Sequence, residues 1–252
     1  MALSEQNKST IAKALIDIPI VVLAGGMGTR LTPVIGDRPK ILAPIGDFTF
    51  LQLLLLWLKG RGATEIIFSL GYQADRVVKL LPDLAKKYSL SINYVIESSP
   101  IGTLGGLSTV LADKSIEECL VINGDTYVDI DLLKFLRQQQ YKNPFACLSA
   151  VKVRDVSRYG QLELADNGLI SCFLEKEQCG NTSGWINAGV YYFSAAAANE
   201  IRKISVGSLE RDFFEEKVNE LAYYKISSDI FIDIGTPASY SQAKYVMRGL
   251  ME

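Results

Sequence analysis

The 252-residue chain contains no histidine. A Ser-His-Asp hydrolase or a Cys-His protease needs an imidazole base and is therefore excluded. Any catalysis must come from carboxylates, Lys, Arg, Tyr or a metal ion. Cysteine is scarce: Cys119, Cys147, Cys172 and Cys179 show no C-x-x-C spacing. Such isolated thiols do not make a zinc site, and they read as buried free cysteines, with Cys179 in a loop. No long apolar run occurs, and the longest, residues 53–58, is far below the ~20 residues that span a bilayer. An excess of one charge is missing too. Net charge is −2, with 26 Lys+Arg against 28 Asp+Glu and no basic run, so neither nucleic acid nor an anionic membrane is an expected partner. The first 19 residues hold Glu5, Lys8, Lys13 and Asp17 without a continuous apolar core, which does not read as a secretory signal. A cytoplasmic protein is expected.

What is present is the composition of a globular protein with a full core: 48% hydrophobic and 21% charged. Apolar strand-like runs at 20–23, 65–70, 92–96 and 120–123 alternate with helical patterns at 50–59, 75–81, 103–111 and 131–139. That alternation predicts an α/β fold, a doubly wound, mostly parallel sheet covered on both faces. The second half reads as mixed sheet. Strands are expected at 145–153, 161–164, 169–173, 185–193, 223–226 and 230–234, with helices at 195–203, 209–218 and 238–250. Asn167-Gly168 marks a hairpin, because this pair favours the positive φ angles of a tight turn.

The most informative stretch is Val21-Val22-Leu23-Ala24-Gly25-Gly26-Met27-Gly28-Thr29-Arg30-Leu31, with Pro39-Lys40 following. A strand that ends in a glycine-rich turn can bring backbone N–H groups close to phosphate, since no Cβ blocks the approach. Arg30 adds a planar donor fork and Lys40 a point charge, which together make a device for holding a triphosphate. The pattern is neither G-x-G-x-x-G nor G-x-x-x-x-G-K-[ST].

Two carboxylates follow in apolar surroundings. Leu120-Val121-Ile122-Asn123-Gly124-Asp125 delivers Asp125 to the C-terminal end of a strand, the edge where open α/β sheets bind ligands. It reads either as a turn aspartate or as a hard oxygen ligand for Mg²⁺. Asp233 lies in Phe231-Ile232-Asp233-Ile234-Gly235-Thr236-Pro237, where an unpaired charge would be costly. A helix start with Thr236 as cap and Pro237 at the first position explains those two residues but not Asp233.

These elements in this order, L-A-G-G-x-G-T-R-L…P-K, N-G-D and D-x-G-T-P, resemble the sugar-1-phosphate nucleotidyltransferases over roughly residues 20–245. The resemblance implies a Rossmann-like nucleotide-diphosphosugar transferase fold in one domain. Residues 1–19 would be an N-terminal extension, about 20–140 the nucleotide-binding half and about 141–252 the sugar-binding half. No hexapeptide repeat is present, so the β-helix domain of some longer relatives is not expected. Leu23, Ala24, Gly25, Gly26, Gly28 and Thr29 would line the nucleotide, with Arg30 on the leaving pyrophosphate and Lys40 on the α-phosphate. Asp125 and Asp233 would each hold Mg²⁺. Glu97 would read the base opposite the turn of Gly102 and Thr103. A carboxylate only accepts hydrogen bonds, and guanine offers two adjacent donors, so Glu97 favours GTP over the pyrimidine triphosphates that an amide suits. On the sugar side stand Gly160 after Arg158-Tyr159, the pair Glu175-Lys176, and Asn187. Glu177 departs from the family's usual proline after that pair, leaving the geometry of its loop open.

Asp129-Ile130-Asp131-Leu132, Arg158-Tyr159-Gly160, Ser208-Leu209-Glu210 and the Asp233 segment look most like those of the D-glycero-D-manno-heptose 1-phosphate guanylyltransferases. The expected substrates are thus GTP and a sugar 1-phosphate. Mannose 1-phosphate is the nearest competitor, uridylyl or thymidylyl transfer is an alternative, and a non-catalytic sugar-nucleotide-binding protein is the rival from another class. Homo-oligomerisation is left open.

Overall fold

A computed structural model describes residues 18–174, 182–228 and 230–249. The chain opens with β1 (Ile20–Ala24), a short helix α1 (Thr32–Ile35), the hairpin β2 (Pro44–Ile45) and β3 (Phe48–Thr49), and α2 (Phe50–Gly60). There follow β4 (Glu65–Leu70), α3 (Ala74–Val78), α4 (Leu81–Tyr88), β5 (Ser91–Ile96), α5 (Gly102–Asp113), β6 (Cys119–Asn123), β7 (Thr126–Val128) and α6 (Leu132–Lys142). The second half runs β8 (Ala146–Val153), β9 (Gln161–Leu164), β10 (Ile170–Leu174), β11 (Gly184–Phe193), α7 (Ala195–Ile201), β12 (Leu221–Lys225), β13 (Phe231–Asp233) and α8 (Pro237–Gly249).

The main sheet has the order β10-β9-β11-β6-β1-β4-β5, with β8 pairing β11 and β12. β5, β4, β1 and β6 are parallel neighbours, and β11 joins β6 antiparallel, so the sheet is mixed, as expected. Period-two alternation in β1 divides the core. Ile20 and Val22 face Leu51, Leu54 and Leu58 of α2, whereas Val21 faces Leu104, Leu107 and Leu111 of α5. This places helices on both faces of a fully buried strand. α2 begins where Thr49 and Gln52 cap each other, the Gln52 N–H donating to Thr49 Oγ1 (3.3 Å) and the Thr49 N–H to Gln52 Oε1 (2.8 Å).

Three expectations need correction. The helix expected at 75–81 is two helices, and Pro82, which looks like a breaker, sits in the first turn of α4, where its missing N–H costs nothing. The helix expected at 209–218 is a π turn (Glu210–Phe214) followed by a 3₁₀ turn (Glu215–Lys217). There, adjacent Phe213 and Phe214 are both buried in a ring cluster with Phe145, Phe173, Tyr191 and Phe193, and this packing overrides regular periodicity. The last strand lies outside the main sheet: β13 pairs antiparallel with β7, a three-residue strand too short for the sequence pattern to show. Cys119 and Cys147 are buried free thiols, Cys172 is a partly exposed one, and Cys179 lies outside the described residues. Among the described residues, no helix is long and apolar enough to cross a membrane.

Candidate active site

β1 and β6 are parallel neighbours in register, Leu23 opposite Asn123, and the Gly124 N–H donates to the Leu23 carbonyl (2.8 Å). Their C-terminal ends therefore release the glycine loop and Asp125 side by side, at the ligand-binding edge of the sheet. Gly25 passes so close to Glu97 that a Cβ would lie 2.3 Å from Oε1. Gly28 takes a φ of +62°, and the Leu31 N–H closes the turn onto its carbonyl (2.9 Å). The loop encloses a cavity of about 340 Å³ lined by Leu23, Ala24, Gly26, Gly28, Thr29, Arg30, Lys40, Asp125 and Gly235. The segment between Arg30 and Lys40 is latched to the β4–α3 side. Asp37 Oδ1 accepts from the Tyr72 hydroxyl (2.7 Å) and from Gln73 Nε2 (2.5 Å), and Arg76 donates to the Asp37 carbonyl. The Tyr72 and Gln73 bonds hold the Asp37 carboxyl below its usual range.

Lys40 Nζ donates to Asp125 Oδ2 at 2.5 Å, and the Thr126 hydroxyl donates to Oδ1 (2.9 Å). Burial would raise the Asp125 carboxyl, but the Lys40 charge and these hydrogen bonds prevail and hold it low. The β7–β13 ribbon brings the second carboxylate alongside. Asp233 pairs with Thr126, and the Ile234 N–H donates to the Asp125 carbonyl (2.9 Å). Asp233 Oδ1 accepts from the Gly235 N–H (2.7 Å) and the Ser239 hydroxyl (3.2 Å). Its Oδ2 accepts from the Tyr159 hydroxyl (2.6 Å) and from Arg158 (3.3 Å). Asp233 thus ends β13 as an anchored carboxylate with 15% of its side chain exposed, against 38% for Asp125. A Cβ on Gly235 would touch Asp233 Oδ1, Lys40 Nζ and Arg30 alike, so cations and carboxylates converge there. Among the described residues no group of three or more His, Cys, Asp or Glu forms a complete metal cage. Two carboxylates beside a phosphate-sized cavity are instead a partial, oxygen-only donor set, which fits Mg²⁺ completed by phosphate oxygens and water.

Glu97 extends from the end of β5 into a second cavity of about 440 Å³, shared with Leu23, Gly25, Gly26, Gly102, Thr103 and Asp125. Burial raises its carboxyl above the ordinary range, only partly offset by hydrogen bonds from the Ser69 hydroxyl (3.0 Å) and the Ile101 N–H. Thr103 lines this cavity but its hydroxyl accepts from the Leu209 N–H (2.8 Å), so it positions a neighbouring loop. A third cavity, of about 210 Å³, is lined by Tyr159, Gly160, Asn187, Ser208 and Glu210. Glu175 and Lys176 lie outside the described residues. All other candidates except Asp233 line one of the three cavities, and Asp233 stands beside Gly235 at the edge of the first. The sequence reading assigned no site role to Ser69, Tyr191 or Glu210. Ser69 and Tyr191 carry no local signal, since only strand pairing brings them here, whereas Glu210 sits in a segment already singled out.

Comparison with known proteins identifies the family. The family model for nucleotidyl transferases matches residues 20–248. A D-glycero-alpha-D-manno-heptose 1-phosphate guanylyltransferase of Campylobacter jejuni is 35% identical over 222 residues, 87% of this chain and 96% of the relative. The enzyme of the same name from Aneurinibacillus thermoaerophilus is 31% identical over 89% of this chain and 96% of its own. The crystal structure of HddC from Yersinia pseudotuberculosis complexed with GMP-PN superposes with a TM-score of 0.79 at 32% identity, covering 91% of this chain and 99% of that one. The chain belongs to the nucleotidyl transferase family.

Proposed function

We propose that the protein is a sugar-1-phosphate guanylyltransferase, converting GTP and D-glycero-α-D-manno-heptose 1-phosphate to GDP-heptose and pyrophosphate. The observation that carries the choice of nucleotide is the Glu97 carboxylate on the wall of the larger cavity, which shares Leu23, Gly26, Met27 and Asp125 with the phosphate cavity. An acceptor-only side chain there matches the paired N–H donors of guanine. The names of the two bacterial relatives favour heptose, and mannose 1-phosphate is the sugar to test beside it.

In this reading residues 20–140 hold the nucleotide and 141–252 the sugar phosphate. An oxygen of the sugar phosphate attacks the α-phosphorus in line, the bond to the β-phosphate bridging oxygen breaks, and pyrophosphate leaves. The nucleophile is already anionic near neutral pH, because phosphate monoesters lose their second proton at about pH 6. No general base is required, in keeping with a chain without histidine. Catalysis then consists of alignment and charge stabilisation. The glycine-loop N–H groups and Arg30 hold the β- and γ-phosphates, and Lys40 shifts from Asp125 toward the α-phosphate as charge grows there. Asp125 and Asp233 would hold Mg²⁺, which when bound supplies Lewis-acid stabilisation of the phosphate oxygens. Pyrophosphate release across four nucleoside triphosphates and a panel of sugar 1-phosphates tests the proposal. A preference for UTP or dTTP, or no release with any pair, overturns it.

Two substitutions probe the machinery. Lys40→Ala should depress kcat more than it raises the KM for GTP, because its charge is needed most in the transition state. A pure KM effect would confine Lys40 to ground-state binding. Gly25→Ala places a methyl 2.3 Å from Glu97 Oε1 and must displace that carboxylate. Overpacking of this kind costs about 1–3 kcal/mol, so the affinity for a non-hydrolysable GTP analogue should fall roughly tenfold or more, measured by calorimetry. Unchanged affinity would mean that the position of Glu97 is irrelevant to nucleotide binding.

A further inference from the structure

The nucleoside and sugar-side cavities meet along residues 208–210, which follow the bend at 205–207, and both Ser208 and Glu210 line the two of them. The segment is bolted to the start of α5. The Gly207 N–H donates to the Ile101 carbonyl (2.9 Å), the Gly207 carbonyl accepts from the Leu104 N–H (2.9 Å), and Leu209 is held by Thr103. Gly207 has a φ of +151°, and a Cβ there would fall 2.9 Å from Asp212 Oδ2, so this bend belongs to glycine. The chain then enters the π turn that starts at Glu210, a deformation that concentrates at functional sites.

Glu210 itself is held in place. Asn187 Nδ2 donates to Glu210 Oε1 (2.9 Å) and to the Tyr191 hydroxyl (2.9 Å), while the Gly189 N–H donates to Asn187 Oδ1 (3.0 Å). That last bond fixes which end of the amide faces Glu210. Asn187 lines the sugar-side cavity and Tyr191 the nucleoside one, so the contact between Glu210 and Asn187 puts the carboxylate on the sugar side of their shared wall.

We infer that Glu210 is a specificity-determining residue, whose carboxylate accepts hydrogen bonds from ring hydroxyls of the sugar 1-phosphate beside Asn187. The inference rests on the guanylyltransferase reading and extends it to a residue with no role so far. A carboxylate accepts about four hydrogen bonds, so its bond from Asn187 is compatible with a hydroxyl pair. Sites built to hydrogen-bond a hydroxyl discriminate strongly against sugars that present it differently.

The test compares wild type with Glu210→Gln and Glu210→Asp, each checked by thermal melting. Pyrophosphate release is measured with GTP and 2′-deoxyGTP against heptose, mannose and glucose 1-phosphates, and binding of the same sugar phosphates is followed by ligand-observed NMR. In Glu210→Gln the KM for the sugar should rise about tenfold or more. The preference among the three sugars should narrow, with the KM for GTP held within about twofold. Glu210→Asp should show the same narrowing, and it decides the matter if the Gln variant does not fold. Unchanged sugar KM and preference in a folded variant overturns the inference. So does an effect confined to the ratio of GTP to 2′-deoxyGTP, which would assign Glu210 to the ribose. A wild type that releases no pyrophosphate defeats the guanylyltransferase reading instead. The NMR titration then decides on Glu210 alone: weaker sugar phosphate binding in the variants supports it, and equal or absent binding overturns it.

Discussion

Asp125→Asn is expected to lower kcat by at least about a hundredfold while the protein keeps its fold, the size of effect seen when one preorganised electrostatic element is removed. The carboxylate does two things. It anchors Lys40 Nζ at 2.5 Å, and it is the more exposed of the two carboxylates beside the phosphate cavity. An amide keeps the shape and a hydrogen bond but loses the charge, so Lys40 loses its resting partner and the proposed cation loses a ligand. Because the pair is partly solvated, its loss should cost stability only about 1 kcal/mol or less. Asp233→Asn should behave differently. Donors from Tyr159, Arg158, Gly235 and Ser239 surround its carboxylate, and an NH₂ group in either position would face one of them. That variant should therefore lose stability by roughly 1–3 kcal/mol as well as activity. Initial rates with and without chelator, set beside melting curves, separate the two cases. Full activity in excess chelator would remove the metal role from both residues, and wild-type rates in Asp125→Asn would remove it from the machinery altogether.

The parts legible in the sequence were those written locally. The glycine loop, the strand carrying Asp125 and the parallel block around β1 are contiguous runs whose chemistry and periodicity coincide. Asp233 was legible as an anomaly, a charge in an apolar strand. Its partners were not, because Tyr159 lies 74 residues away and reaches it only through tertiary packing. The same holds for Ser69 under Glu97 and for Tyr191 beside Asn123, which parallel and antiparallel pairing deliver to one edge. The π turn escaped for another reason. Apolar spacing at 209–218 suits a regular helix, and only the ring cluster around Phe213 and Phe214 shows why the turn is wider. Local code thus names the proposed phosphate machinery, while long-range packing decides how the walls proposed for the base and sugar are built.

Glu97→Gln is expected to lower the selectivity for GTP over UTP by about tenfold to a hundredfold, since a good bidentate base contact discriminates by roughly 1–3 kcal/mol. The direction follows from the donors around the side chain. The Ser69 hydroxyl donates to Oε1 (3.0 Å), and a Gln that keeps its amide oxygen there turns its NH₂ group toward the cavity. There it meets the donor edge of guanine badly, and the imide edge of uracil, with acceptors flanking its N–H, better. Burial is the second part of the argument. It raises the Glu97 carboxyl, so the anion that accepts from guanine is lost at a higher pH than for an ordinary carboxylate. Wild-type kcat/KM for GTP should therefore fall on the acid side as pH drops through that raised value, and the Gln variant should lack this limb. For stability the sign is opposite. A carboxyl raised on folding binds its proton more readily in the folded state, so its burial penalty is present above the folded pKa and relieved as pH falls through it. An amide has no charge to bury, so at neutral pH the variant should melt no lower than wild type even as its GTP selectivity falls. The ratio of kcat/KM for GTP to that for UTP, measured across pH in both proteins, decides the matter. An unchanged ratio, or an acid limb that survives in the Gln variant, would mean that another group reads the base.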